Sequence, residues 1–130
     1  MSSPINPFSH VDLRVPSLET ALPFYEKLLP ALGFGHTFHS PKWKVFAADG
    51  ELPSAAYFAI MEDAAHIPSA NIVAFWAPDR ERVDQIAALV KSSGGTITAG
   101  PKLFSISKTY YAVYFDDPCG NKLEVVHRLD

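Results

Sequence analysis

The stretch His10-Val-Asp12-Leu-Arg14-Val alternates reactive and apolar side chains. On an extended strand, positions 10, 12 and 14 share one face, opposite Val11, Leu13 and Val15. That face carries an imidazole, a carboxylate and a guanidinium, groups able to move a proton or bind a polar ligand. Asp12 and Arg14 read equally well as a surface ion pair contributing at most ~1 kcal/mol. In Ile72-Val-Ala-Phe-Trp76, positions 72, 74 and 76 share a face, so the Trp76 indole is either a stacking platform or part of a wall or interface. In Lys122-Leu-Glu-Val-Val, Glu124 points away from the apolar Leu123 and Val125. Tyr110 and Tyr111 are adjacent, so one belongs to each face. Strand packing is the ordinary role of both, and Tyr111 is the one assigned here to a pocket.

Other spacings argue against chemistry. His36 and His39 are three apart, hence on opposite faces of a strand and unable to share a metal. His127 is at odd spacing from Glu124 and faces away from it. His66 reads as an exposed loop residue, and Glu62 as a solvated charge at a strand end. The single Cys119 allows no internal disulfide and no thiolate zinc cluster.

The elements that position these residues occur twice. His10-Val-Asp-Leu-Arg-Val-Pro16-Ser17 overlays Ile72-Val-Ala-Phe-Trp-Ala-Pro78-Asp79, each an alternating strand ending in Pro and a helix N-cap residue. Leu18, Ala21/Leu22, Tyr25, Leu28/Leu29 and Leu32 form an apolar stripe at helical spacing, as do Val83, Ile86/Ala87 and Val90. Gly33 and Gly94-Gly95 suit the ends of these helices. Pro23 is expected to bend the first helix and Pro30 to end its regular part. Three short strands follow each helix, at about 34–39, 43–48 and 55–61, then 96–99, 110–115 and 122–127. Asp116-Asp-Pro-Cys-Gly120-Asn121 is a tight turn, and residues 102–108 form a loop able to cover a cavity mouth. The order strand-helix-strand-strand-strand, repeated, is α+β. It reads as one domain over 1–130, with modules at about 8–62 and 71–128 and a linker at about 63–70.

Four pieces together resemble the vicinal oxygen chelate superfamily, which includes glyoxalase I, extradiol dioxygenases and bleomycin-resistance proteins. They are His10-Val-x-Leu-x-Val, Phe24-Tyr25 with Leu32-Gly33-Phe34, Ala74-Phe75-x-Ala-Pro-Asp79, and Asp117-Pro118-x-Gly120-Asn121-x-x-Glu124. The resemblance implies two βαβββ modules forming a curled mixed sheet around a cavity. In the metal-using branches it also implies a divalent ion (Zn, Ni, Mn or Fe) held by His on the first strand, His on the fifth and Glu on the eighth. His10 matches the first position and Glu124 the last. Ile72 stands in the middle one, and the internal repeat gives the same residue. An isoleucine has no donor atom, so the implied site is incomplete and any metal weakly held.

The implied pocket holds His10, Asp12, Arg14, Ile72, Trp76, Tyr111 and Glu124. Ile72 favours a metal-free protein that binds or sequesters a small organic ligand. The alternative is a metal-dependent lyase, isomerase or dioxygenase of the glyoxalase type, with Glu124 as the catalytic carboxylate.

Composition limits the partners. The 130 residues are 48% hydrophobic, with 11 Lys+Arg against 14 Asp+Glu and a net charge of −3. No basic stripe suggests nucleic acid and no apolar run reaches the ~18–20 residues of a membrane span. The opening Met1-Ser-Ser-Pro-Ile-Asn-Pro lacks the blocks of a signal peptide, so a cytoplasmic location is expected. Two helices are few for eight strands, and open sheet edges favour pairing with a second copy. The Ile5–Phe8 arm adds apolar surface at such an edge. A two-fold homodimer is the expectation.

Overall fold

A computed structural model describes residues 6–49 and 56–129. The chain runs β1 (His10–Val15), α1 (Leu18–Ala31), β2 (His36–Ser40), β3 (Trp43–Ala47) and β4 (Tyr57–Glu62). It continues β5 (Ile72–Trp76), α2 (Arg80–Ser92), β6 (Thr96–Leu103), β7 (Tyr111–Asp116) and β8 (Lys122–His127). The strands form two four-stranded mixed sheets, ordered β1-β4-β3-β2 and β5-β8-β7-β6. In each, the first strand runs parallel to the last and the remaining pairs are antiparallel. The sheets form no closed barrel, and β1 and β5 each leave a free edge.

Both helices start as the sequence dictates. Ser17 and Asp79 are extended N-caps whose side chains accept from Thr20 N–H and Arg82 N–H. The helix ends are less symmetrical. The left-handed residues are Gly33 and Gly94, with φ of 101° and 99°, so α2 is one residue shorter than α1. The first helix runs through both Pro23 and Pro30 and stops at Ala31. Pro30 is so close to the end that its missing N–H interrupts only the last turn. Phe34 lies outside β2 and packs its ring edge-on against Phe58 and Phe75. Strand β6 runs four residues past the expected end, with register shifts against β7. The expected strand start at Ala55 lies outside the described residues.

One face of each sheet packs on its helix, and the two halves share a core. Val15, Phe24, Tyr25, Phe58 and Ile60 from the first join Phe75, Val83, Val90, Phe115 and Leu123 from the second. Polar bonds tie the halves at the same place. The Tyr25 hydroxyl donates to Asp117 Oδ2 (2.5 Å), and Asn121 Nδ2 donates to the Arg14 carbonyl (2.9 Å). Arg82 donates to the Ala31 carbonyl at the end of α1 (2.6 Å). Among the described residues, the opposite face of each sheet carries no helix. Among the described residues no helix is long and apolar enough to cross a membrane.

Candidate functional site

A cavity of about 530 Å³ opens between the sheets, where the free edges of β1 and β5 approach. That is within the usual range of small-molecule sites. All five residues of β5 line it, with His10 and Val11 of β1, Tyr57 and Phe58 of β4, and Leu32 and Phe34 beyond α1. Phe8 and Asn6 close one side. Seven of these side chains are rings, and none is formally charged at neutral pH. The surface is suited to a flat apolar molecule.

His10 is the main polar feature. It begins β1 opposite Tyr57 of β4, and this register stacks the two rings 4.4 Å apart and nearly parallel. Its Nδ1 lies 3.0 Å from Ser9 Oγ, and its Nε2 3.9 Å from Asp12 Oδ1. On the far wall, Ile72 and Trp76 share a face of β5 and are well exposed, at 48% and 61%. The Arg128 guanidinium lies over the Trp76 ring, 4.5 Å from its centroid.

Thus His10, Ile72 and Trp76 line one cavity, while the other candidates fall elsewhere. Asp12 and Arg14 are on the expected face but outside the cavity, whose lining on β1 ends at Val11. A strand advances about 3.3 Å per residue, so each alternate side chain lies almost 7 Å further on. Arg14 pairs with Asp63 across 3.7 Å, an exposed contact of small energetic weight.

Tyr111 is a correction. Its hydroxyl donates to Asp84 Oδ1 of α2 (2.7 Å) and Arg80 lies over its ring, so it belongs to the helix-covered face. Its neighbour Tyr110 takes the position near the candidate carboxylate. In the β7–β8 register Tyr114 opposes Glu124, and position 110 has the same parity as 114.

Glu124 faces as alternation requires, paired with Ala74 of β5, but its carboxylate turns away from the cavity toward β7. It is 5% exposed and accepts the Tyr110 hydroxyl at 2.5 Å. Burial first, and then the bond to Glu124, pushes the Tyr110 phenol well above its ordinary pKa. Burial and the same negative charge raise Tyr114. The segment 104–110 covers this face, closed by a Phe104 N–H to Tyr110 carbonyl bond and by Phe104 against Tyr114. Of the loop expected to cover a cavity mouth, Phe104 packs on Tyr114, and none of its residues lines the cavity.

Glu62 is a helix-capping residue. Its Oε1 accepts the Leu18 N–H and its Oε2 meets Lys42 Nζ, and both contacts, the backbone one first, lower its pKa. His66 bonds Asn121 Oδ1 (2.8 Å), fixing the linker to the β7–β8 turn. His36 and His39 fall on opposite faces, and His127 bonds the Ala77 carbonyl, away from Glu124. Burial first, and then Asp117, pushes the Cys119 thiol up to about 12, leaving it neutral.

The donors implied for a divalent ion do not fit one within this chain. Ile72 supplies none, the Glu124 carboxylate is taken by Tyr110, and the His10 nitrogens face Ser9 and Asp12. Among the described residues no three His, Cys, Asp or Glu side chains are grouped to hold a metal.

The chain belongs to the Glyoxalase/Bleomycin resistance protein/Dioxygenase superfamily, whose family model matches residues 8–125. Among solved structures it resembles a glyoxalase/bleomycin resistance protein from Albidiferax ferrireducens. The two share 29% identity over 95% of this chain and 100% of that one, with a TM-score of 0.76. A glyoxalase/bleomycin resistance protein/dioxygenase family enzyme from Burkholderia phytofirmans shares the fold at 15% identity, with 93% and 98% covered and a TM-score of 0.70. So does a mutant fosfomycin resistance protein from Listeria monocytogenes, complexed with Mn(II) and dihydroxypropylphosphonic acid. It is 22% identical, with 96% and 92% covered and a TM-score of 0.71. No curated protein matches the chain.

Proposed function

We propose that this chain is a small-molecule-binding protein that holds or sequesters an organic ligand in the cavity between its sheets, without a metal. The observation that carries this reading is the cavity wall itself. At the position implied for a ligating histidine, Ile72 presents an alkyl side chain to a ring-lined space. A site of this kind binds by apolar burial and stacking, with His10 and Asn6 to orient the ligand. The two modules act as one domain because they share a core.

The same reading makes the protein a cytoplasmic homodimer. Phe38 and Trp43 stand exposed on the open face of the first sheet, away from the cavity lining. A second copy covering them buries aromatic surface that otherwise faces water.

Titration with the neutral fluorophore N-phenyl-1-naphthylamine tests the cavity. The reading expects saturable binding of one probe per chain in the presence of chelator, abolished in Ile72→Trp, which fills the space. Failure of the probe to bind, or equal binding by the folded Ile72→Trp variant, overturns it. The alternative, a metal-dependent lyase, isomerase or dioxygenase using His10 and Glu124, predicts binding only after Zn, Ni, Mn or Fe is supplied.

A further inference from the structure

We infer that Tyr110 is a lock on Glu124: its phenol is the partner this carboxylate has in place of a metal ion, so two separate features, Ile72 and Tyr110, keep the chain metal-free. This rests on the metal-free reading above and adds a second residue that maintains it. Strand β8 lies between β5 and β7. Glu124 therefore has Ala74 opposite it on one side and Tyr114 on the other. Ala74 lines the cavity, as does Ile72 on the same face of β5. Neighbouring strands lie about 4.8 Å apart, so a carboxylate leaning to β5 meets the cavity wall and one leaning to β7 meets the tyrosines. It cannot do both. Here it leans to β7, where Oε2 accepts the Tyr110 hydroxyl at 2.5 Å.

The phenol is itself held. The Phe104 N–H donates to the Tyr110 carbonyl (2.8 Å), and the Phe104 ring packs edge-on against Tyr114 with centroids 5.0 Å apart. The Leu129 N–H donates to Thr109 Oγ1 (3.1 Å), fixing the residue before Tyr110 to the segment after β8. A carboxylate only 5% exposed needs a donor or a cation, and Tyr110 supplies the donor. An ion bound in the cavity must draw Glu124 off that phenol. A hydrogen bond to a charged group is worth about tenfold or more in affinity. An imidazole restored at position 72 alone therefore still leaves the third donor occupied.

Calorimetric titration of the full-length, untagged chain with Zn(II) alone tests the lock. The parent and Tyr110→Phe are expected to take up no stoichiometric Zn, and Ile72→His to bind it weakly. Ile72→His/Tyr110→Phe should bind one Zn per chain at least about tenfold more tightly than Ile72→His. Equal affinity in the single and double variants overturns the lock. Weaker binding in the double variant also overturns it, because the phenol then supports a ligating carboxylate instead of withholding it. A folded double variant that binds no Zn shows that Glu124 does not reach the cavity, and overturns it as well. A second measurement needs only Ile72→His, labelled at tyrosine Cζ for NMR. Saturating Zn should shift the Tyr110 resonance as its hydroxyl loses Glu124, and Zn binding with that resonance unmoved contradicts the inference. If the parent chain itself takes up Zn, the metal-free reading fails, and this inference with it.

Discussion

Tyr110 donates its phenolic hydrogen to Glu124 across 2.5 Å, so a loop residue holds the carboxylate at the end of the superfamily motif. The pair joins the segment before β7 to the middle of β8 and turns Glu124 from the cavity. A nearly buried carboxylate that loses a hydrogen-bond donor keeps its desolvation cost without the compensation. Tyr110→Phe is therefore expected to destabilise the fold by about 1–3 kcal/mol. Urea unfolding checks this, and a midpoint equal to that of the parent contradicts it. Cavity binding of the neutral probe should be unchanged, because neither residue lines the cavity.

Three phenols, those of Tyr25, Tyr110 and Tyr114, are raised, each by burial first and then by a neighbouring carboxylate. A group whose pKa is higher in the folded state contributes stability that is intact below its unfolded value. That contribution is lost as pH rises through the folded value. Stability should therefore fall above about pH 10, where unfolded tyrosines ionise. Thermal melts from pH 8 upward check this, and the fall should be shallower in Tyr25→Phe. An identical slope in the two proteins contradicts it.

Glu62 behaves in the opposite sense. Its lowered pKa comes from the Leu18 N–H at the start of α1 and from Lys42. Its contribution is present above the unfolded value of about 4.3 and disappears as pH falls through the folded one. Glu62→Gln should lower the melting temperature at pH 7 and converge with the parent at acid pH. A difference that persists undiminished below the folded pKa counts against a charge-dependent cap.

The open face of the first sheet predicts assembly. Phe38 is 53% exposed and Trp43 36%, both outside the cavity lining. A dimer covering this face should bury about 1,600 Å² or more. Light scattering at micromolar concentration is expected to give twice the chain mass, and a value near 14.3 kDa contradicts it. Trp43→Lys should shift the equilibrium toward monomer.

Much of the fold was legible because local signals repeated. Ser17 and Asp79 both cap helices, and β8 spans the expected residues. Alternation put His10 and Ile72 on the faces they take in β1 and β5, because each begins a strand whose opposite face is apolar. It could not say how far the cavity runs along β1, which left Asp12 and Arg14 outside. Tyr110 and Tyr111 were separable by register alone, since only the strand partner tells which parity faces Glu124. The Tyr25–Asp117–Asn121 network joins α1 to a turn 92 residues away, a relation no local pattern carries. The cap that Glu62 provides was not legible for a similar reason, as its partner Leu18 begins a helix 44 positions earlier.

Native mass spectrometry of the untagged protein, purified without chelator, tests the metal-free cavity most directly. The prediction is a chain that carries no stoichiometric metal and takes up one N-phenyl-1-naphthylamine per chain. A chain carrying one Zn, Ni, Mn or Fe, whose removal also abolishes probe binding, contradicts it.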